Sequence, residues 1–263
     1  MSNTIKTLDF MIIGAQKSGT TALSHFLAQH RQVCMATGKE VHLFDTQDYS
    51  DKWTVEHINQ RYSSYFDGAD PMQLWAEATP IYLYWSEIIP ALKRYNPSLK
   101  LIVILRDPTD RAISHYEMEK QRSNETLPLW LALLREPARL KKEGRWLGHS
   151  HRCHSYMDRG YYAEQLSCVR KHFNDDQILI LESDALKHRH TASLEAVCKF
   201  LAISTVHDIQ SERVFSGDYG KKHLSPYYAL IKLCLKWRFR AANTKLKALL
   251  FEMGMAPDWR WLP

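Results

Sequence analysis

The chain has 263 residues, a formal net charge of +6, and 45% apolar and 24% charged residues. This balance excludes an intrinsically disordered chain, and no run approaches the ~18 apolar residues of a membrane span. Five cysteines, odd in number and without a CxxC pair, exclude a disulfide framework.

Those thiols fit a reducing compartment, and Met1–Phe10 carries no leader-like apolar run. A soluble, cytoplasmic protein is expected. The excess of positive charge favours anionic ligands.

Leu8–Ile13 is a short apolar run ending at Gly14 and reads as a buried strand. Thr20–His30 places Ala22, Leu23, Phe26 and Leu27 at helical spacing. Leu74–Ala76 is a weaker strand. Leu99–Leu105 (LKLIVIL) is the strongest, a continuous run rich in β-branched residues, as in a strand buried on both faces. It stops at Arg106, and Pro108 fits the first turn of a helix through Met118.

Glu119–His154 is polar and irregular, with one helical piece near Leu127–Leu140, and reads as an insertion lining a substrate cleft. Tyr162–His172 is helical, Gln177–Leu181 is another buried strand, and Ala192–Leu201 is helical again. Tyr227–Phe251 is a basic helix, expected to pack through Leu230, Leu233 and Trp237 rather than to lie on a membrane.

Strands alternating with helices predict an α/β fold: a single domain, residues 1–263, with a central parallel sheet flanked by helices. Ligands of such sheets bind at the carboxyl ends of the strands. Gly14, Glu77, Arg106 and Glu182 each fall at or just after the end of a predicted strand, so one rim is expected to gather them.

Between the first strand and its helix lies Gly14-Ala-Gln-Lys17-Ser18-Gly19-Thr20-Thr21. Consecutive backbone N–H groups at a helix N-terminus cradle phosphate or sulfate oxygens. The glycines allow a tight turn, the hydroxyls of Ser18, Thr20 and Thr21 add donors, and Lys17 adds charge. A Walker A loop, GxxxxGK[ST], has its lysine after the second glycine, whereas here it stands before it. The strongest strand also ends in Arg106 rather than in a magnesium-binding aspartate. ATP and GTP chemistry relies on that metal to neutralise the phosphates, so the loop points to a donor handled by lysine and arginine alone.

Several segments in order resemble the sulfotransferases that use 3′-phosphoadenosine-5′-phosphosulfate (PAPS), the heparan sulfate enzymes in particular. GAQKSGTTAL is similar to the family's 5′-phosphosulfate loop, and Arg106-Asp-Pro-Thr-Asp-Arg111-Ala-Ile-Ser114-His-Tyr116 to its 3′-phosphate motif. Glu40-Val-His-Leu-Phe-Asp45 resembles the segment carrying the general base. Arg159-Gly160-Tyr161-Tyr162 resembles the RGxY element, Phe173–Ala202 a later strand-helix stretch, and Gly220–His223 a lysine-bearing loop over the donor.

The resemblance implies a sulfotransferase with PAPS as co-substrate, 3′,5′-ADP as product and no metal. The acceptor would be a hydroxyl or amine of a glycan, lipid or small molecule. It implies that Lys17, Ser18, Gly19, Thr20 and Thr21 hold the 5′-phosphosulfate. Arg106 and Ser114 would hold the 3′-phosphate, with Tyr162 and Lys221 assisting at the donor. Arg111 is left to neutralise Asp107 or Asp110.

Glu40 is the expected base, with His42 its rival because cytosolic sulfotransferases use a histidine. Glu77 is a third carboxylate near the same rim. Heparan enzymes often carry a lysine at the position of Ala78, so this chain departs from them there. Two other readings remain: a nucleotide-dependent kinase of the P-loop type, and a non-catalytic anion-binding protein. His149, His151, Cys153 and His154 form a cluster that reads as solvated loop side chains rather than a metal site. No segment resembles a nucleic-acid module.

Overall fold

The computed structural model describes residues 6–38, 40–144, 146–205 and 225–263. They group into two compact units, Met1–Leu105 with Cys168–Phe215, and Arg106–Ser167 with Ser216–Pro263.

The first unit is built on five parallel strands: β1 (Phe10–Gly14), β2 (Val33–Met35), β3 (Leu74–Ala78), β4 (Lys100–Leu105) and β5 (Ile178–Glu182). Their order is β2-β3-β1-β4-β5. Its main helices are α1 (Thr20–Ala28), α2 (Val55–Ser63), α3 (Ile88–Tyr95), α8 (Ser183–His188) and α9 (His190–Leu201).

Side chains alternate across each strand. Phe10, Ile12, Ile102 and Ile104 join Leu23, Phe26 and Leu27 of α1 and Leu194, Val197 and Leu201 of α9 in one core. Met11, Ile13, Leu101 and Val103, which alternate with them, are fully buried too. Burial on both faces explains why β1 and β4 read as continuous apolar runs.

Strand order reverses around β1, whose neighbours are β3 and β4. The crevice of a parallel sheet opens at such a reversal, beyond the carboxyl ends. Gly14 ends β1 there, and its amino-acid type is set by packing: a Cβ would lie 2.5 Å from Cβ of Leu83. The close approach is fixed by backbone bonds, Leu83 N–H to the Ile13 carbonyl and Ala15 N–H to the Ile104 carbonyl, each 2.8 Å. Gly14→Ala is expected to destabilise the fold by about 1–3 kcal/mol and lower Tm by about 2–10 °C. An unchanged melting curve would mean that Leu83 yields freely.

The second unit is helical: α4 (Pro108–Gln121), α5 (Leu129–Lys142), α6 (His149–Cys153) and α10 (Pro226–Glu252), together with most of α7 (Tyr162–Arg170). Ala112, Ile113, Tyr116, Leu129, Leu133 and Phe239 belong to its core.

Three expectations change here. Within 119–154 the expected helical piece near 127–140 is α5, and the remainder is less irregular than expected, since α4 runs to Gln121 and α6 forms at His149–Cys153. His151 and His154 are buried rather than solvated, their Nε2 atoms 3.1 Å from the Leu140 carbonyl and 3.0 Å from that of Asn124. Leu230, Leu233 and Trp237 do not pack the C-terminal helix, being 63%, 66% and 77% exposed. α10 packs instead through Tyr228, Ile231, Leu235 and Phe239.

Candidate active site

The loop after β1 turns into α1 through two residues in the left-handed region. Lys17 has φ 72°, and Gly19, the residue before the helix, has φ 99°. A lysine held at positive φ is unusual and marks a loop whose shape is imposed by its surroundings. The Ser18 N–H donates to the Ala15 carbonyl at 3.1 Å, closing the turn.

α1 starts with no side-chain cap and no acidic residue in its first turn. The hydroxyl of Ser18 is buried without a hydrogen-bond partner. An uncapped helix start, a spare buried hydroxyl and a neighbouring lysine suit an anion. The residues therefore fit the phosphosulfate end of a PAPS-like donor.

The segment from Glu40 forms a second cluster of the same unit. His42 sits at φ 58°, just before a short 3₁₀ turn, Leu43–Asp45. Its Nε2 lies 3.0 Å from Oε2 of Glu40, and its Nδ1 lies 3.0 Å from both oxygens of the buried Asp45. Burial opposes charging of the ring, but the hydrogen bonds and charges of Asp45 and Glu40 outweigh it and lift His42 to about 9. At neutral pH His42 is thus an imidazolium clamped between two carboxylates, with both N–H groups donated.

A pKa raised in the folded state contributes stability that is complete below about 6.5 and is lost as pH rises through about 9. NMR titration of the His42 ring is expected to show a midpoint near 9. A midpoint near 6.5 would remove the clamp.

Beneath this cluster the backbone N–H of His42 donates to the Thr79 hydroxyl at 3.4 Å. Thr79 donates to Glu77 at 3.2 Å, and the Tyr62 hydroxyl donates to Glu77 at 3.0 Å. Glu77 is only 1% exposed. Burial lifts its carboxyl to about 7, against the pull of Tyr62, Thr79 and His42. It is a buried anchor of the segment, not an open carboxylate on the rim. Asp45, Thr79 and Tyr62 were missed as site-forming residues. The only sequence signal was Asp45, three residues after His42.

The second unit carries the Arg106 motif. Asp107 accepts from the Thr109 N–H at 2.8 Å and caps α4, with Pro108 in the first turn. Arg106 is half-buried and Ser114 is buried two helical turns later. The Tyr162 hydroxyl donates to the Arg106 carbonyl at 2.9 Å, so it steadies Arg106 through the backbone. Gly160 permits this approach, since a Cβ there would fall 2.8 Å from the Phe239 ring and 3.0 Å from Pro108.

Arg111 is fully buried and donates to the Tyr156 carbonyl, while Asp110 pairs with Lys232 at 2.8 Å. Arg159 is also internal, donating to Ser155 Oγ and to the carbonyls of His151 and Arg152. Lys221 and Gly220–His223 lie outside the described residues. Among the described residues no group of His, Cys, Asp and Glu is arranged to hold a metal ion.

Residues 7–222 match the sequence model of the sulfotransferase domain. The chain belongs to the sulfotransferase family. Human heparan sulfate glucosamine 3-O-sulfotransferase 5 is 29% identical over 194 residues, 73% of this chain and 52% of the relative. The bifunctional heparan sulfate N-deacetylase/N-sulfotransferase 1 of Xenopus tropicalis is 27% identical over 276 residues, 95% of this chain and 30% of the relative. The chain thus spans about half the length of the first relative and about a third of the second. The crystal structure of a sulfotransferase from Alicyclobacillus acidocaldarius superposes with a TM-score of 0.72 at 25% identity, covering 94% of this chain and 96% of that one.

Proposed function

We propose that this sulfotransferase moves a sulfuryl group from PAPS to a hydroxyl or amine of a glycan, lipid or small-molecule acceptor by in-line displacement. The observation that carries the reading is the uncapped start of α1, with Ser18 Oγ buried and unpartnered beside Lys17, in a chain of this family. When bound, PAPS supplies an activated sulfuryl group and a stable bisphosphate leaving group.

Lys17 neutralises charge growing on the 5′-phosphate as the bond to sulfur breaks. Ser18, Gly19, Thr20 and Thr21 orient the phosphosulfate through hydroxyl and backbone donors. Arg106 and Ser114 hold the 3′-phosphate, the arginine by a forked, charge-assisted contact. Tyr162 positions Arg106. Glu40 takes the proton of the acceptor at a carboxylate oxygen. His42, already protonated on both nitrogens at neutral pH, orients Glu40 and screens its charge rather than acting as base. No step requires a metal.

The heparan sulfate relatives include both an O- and an N-sulfotransferase, which is why hydroxyl and amine acceptors both stand. Ala78, where heparan enzymes often carry lysine, removes a cation and favours an acceptor less anionic than theirs. Calorimetry tests the donor: 3′,5′-ADP is expected to bind without metal, at least tenfold tighter than 5′-AMP, a difference of about 1.4 kcal/mol. Equal binding of 5′-AMP, or tight binding of ATP only with magnesium, would overturn the reading in favour of a kinase. Donor binding with no transfer to any acceptor in an extract of the source organism would leave a non-catalytic binder.

A further inference from the structure

α10 carries two apolar stripes back to back. At 100° per residue, Tyr228, Ile231, Leu235, Phe239, Leu246 and Leu250 line one side of the helix and are buried. Leu230, Leu233, Trp237 and Phe251 fall on the opposite side and are exposed, Trp237 to 77%, with the exposed Tyr227 at the edge between the two stripes. The large side chains of the outer stripe run from 230 to 237, about 11 Å of helix, and Ala241, Thr244 and Ala248 continue that side as far as Phe251. Trp130 and Leu134, one turn apart on α5, add 52% and 69% exposed apolar side chains. The Trp130 N–H donates to the Tyr227 hydroxyl at 3.2 Å, which ties the two helix starts together. Scattered exposed leucines need no explanation, but Leu230, Leu233 and Trp237 on successive turns of one helix mark a surface that meets another apolar phase.

The charges bordering the stripe identify that phase. α10 contains six Lys and Arg residues and one acid, Glu252. By the same helical count, Lys236, Arg240 and Lys247 flank the stripe on one side and Arg238 and Lys245 flank it on the other. Next to the stripe, Trp237, Arg238, Arg240 and Lys245 line a cleft of about 630 Å³ with Tyr161 and Glu164. An apolar centre with cations along both edges matches a helix lying in the plane of a membrane surface, acyl chains under the stripe and anionic headgroups at its edges. A second copy of the chain is a poorer match, because a self-paired stripe sets like-charged rows against each other.

We infer that the outer face of α10 docks this chain onto an anionic lipid bilayer. The helix lies on the membrane and does not cross it. Among the described residues no helix is long and apolar enough to span. The inference does not depend on the donor chemistry, and its test uses none.

The full chain is sedimented with vesicles of phosphatidylglycerol or of phosphatidylcholine. Binding to the anionic vesicles is expected to be about tenfold stronger and to weaken at high salt. Leu230→Gln/Leu233→Gln/Trp237→Gln keeps all cations and a good helix former at each exposed position, and is expected to lose at least about tenfold in vesicle affinity. Lys236→Gln/Arg238→Gln/Arg240→Gln/Lys245→Gln keeps the stripe and is expected to lose a similar factor. Circular dichroism checks that both variants fold, and the wild-type salt dependence stands without either. No binding to anionic vesicles would overturn the inference. So would binding that the cation variant abolishes while the stripe variant leaves it intact, which is plain electrostatic adhesion. Sedimentation velocity without lipid gives the last arm: a dimer that the stripe variant converts to monomer would reassign the face to self-association.

Discussion

Glu40→Gln is expected to lower sulfuryl transfer by about 10²–10⁴-fold while leaving 3′,5′-ADP affinity within about twofold. The amide keeps the size of the carboxylate and can still meet the His42 N–H, but it cannot accept a proton from the acceptor. The same change removes one of the two carboxylates holding the His42 proton, at 3.0 Å, while Asp45 remains. The His42 titration should therefore move down from about 9 as transfer is lost. Measured together, the two readouts separate a base from a merely structural carboxylate. Full activity in the variant, with a pH–rate limb that follows the shifted His42 titration, would transfer the role to His42. The clamp argues against that outcome, since a ring charged up to about pH 9 has no lone pair for a proton near neutrality.

Arg106→Ala is expected to weaken 3′,5′-ADP binding by about 10–150-fold, equivalent to about 1.5–3 kcal/mol, and to leave 5′-AMP binding almost unchanged. The difference between the two ligands is the 3′-phosphate, so the loss should appear only where that group is present. Arg106→Lys retains charge but not the planar fork, and should recover only part of the affinity. Calorimetry with both nucleotides reads the effect. An equal loss for both would mean that the variant damages the start of α4 instead of a phosphate contact. Asp107 and Pro108, which begin that helix, follow Arg106 directly in the chain, so the control matters.

The sequence by itself determined the sheet and its phosphate loop. β1 and, beyond Lys100 at its edge, β4 are short continuous runs of apolar residues, the pattern of strands buried on both faces. The start of α4 was equally plain, because a proline just past a strand end fits the first turn of a helix. Glu40, His42 and Asp45 were visible as a segment, through its likeness to a known family, and not as a clamp. The clamp needs His42 at φ 58° over the buried Thr79–Glu77–Tyr62 chain, and those partners are 37 or fewer residues away with no periodic signal linking them. β2, three residues long, and α2, with a polar surface, left too weak a pattern to read.

Tertiary structure alone decided which polar groups go inside. His151 and His154 look like solvated loop residues until the carbonyls of Leu140 and Asn124 are brought to their rings. Glu136 accepts the N–H groups of Met157 and Asp158, and burial lifts it to about 8. Burial of a polar side chain is favourable only when a distant partner meets it, and that partner is invisible to local spacing. α10 is the clearest case. Two apolar stripes share one helix, and periodicity cannot say which faces the core. The packing of α10 against α4 and α5 chose Ile231, Leu235 and Phe239, and left Leu230, Leu233 and Trp237 to face outward.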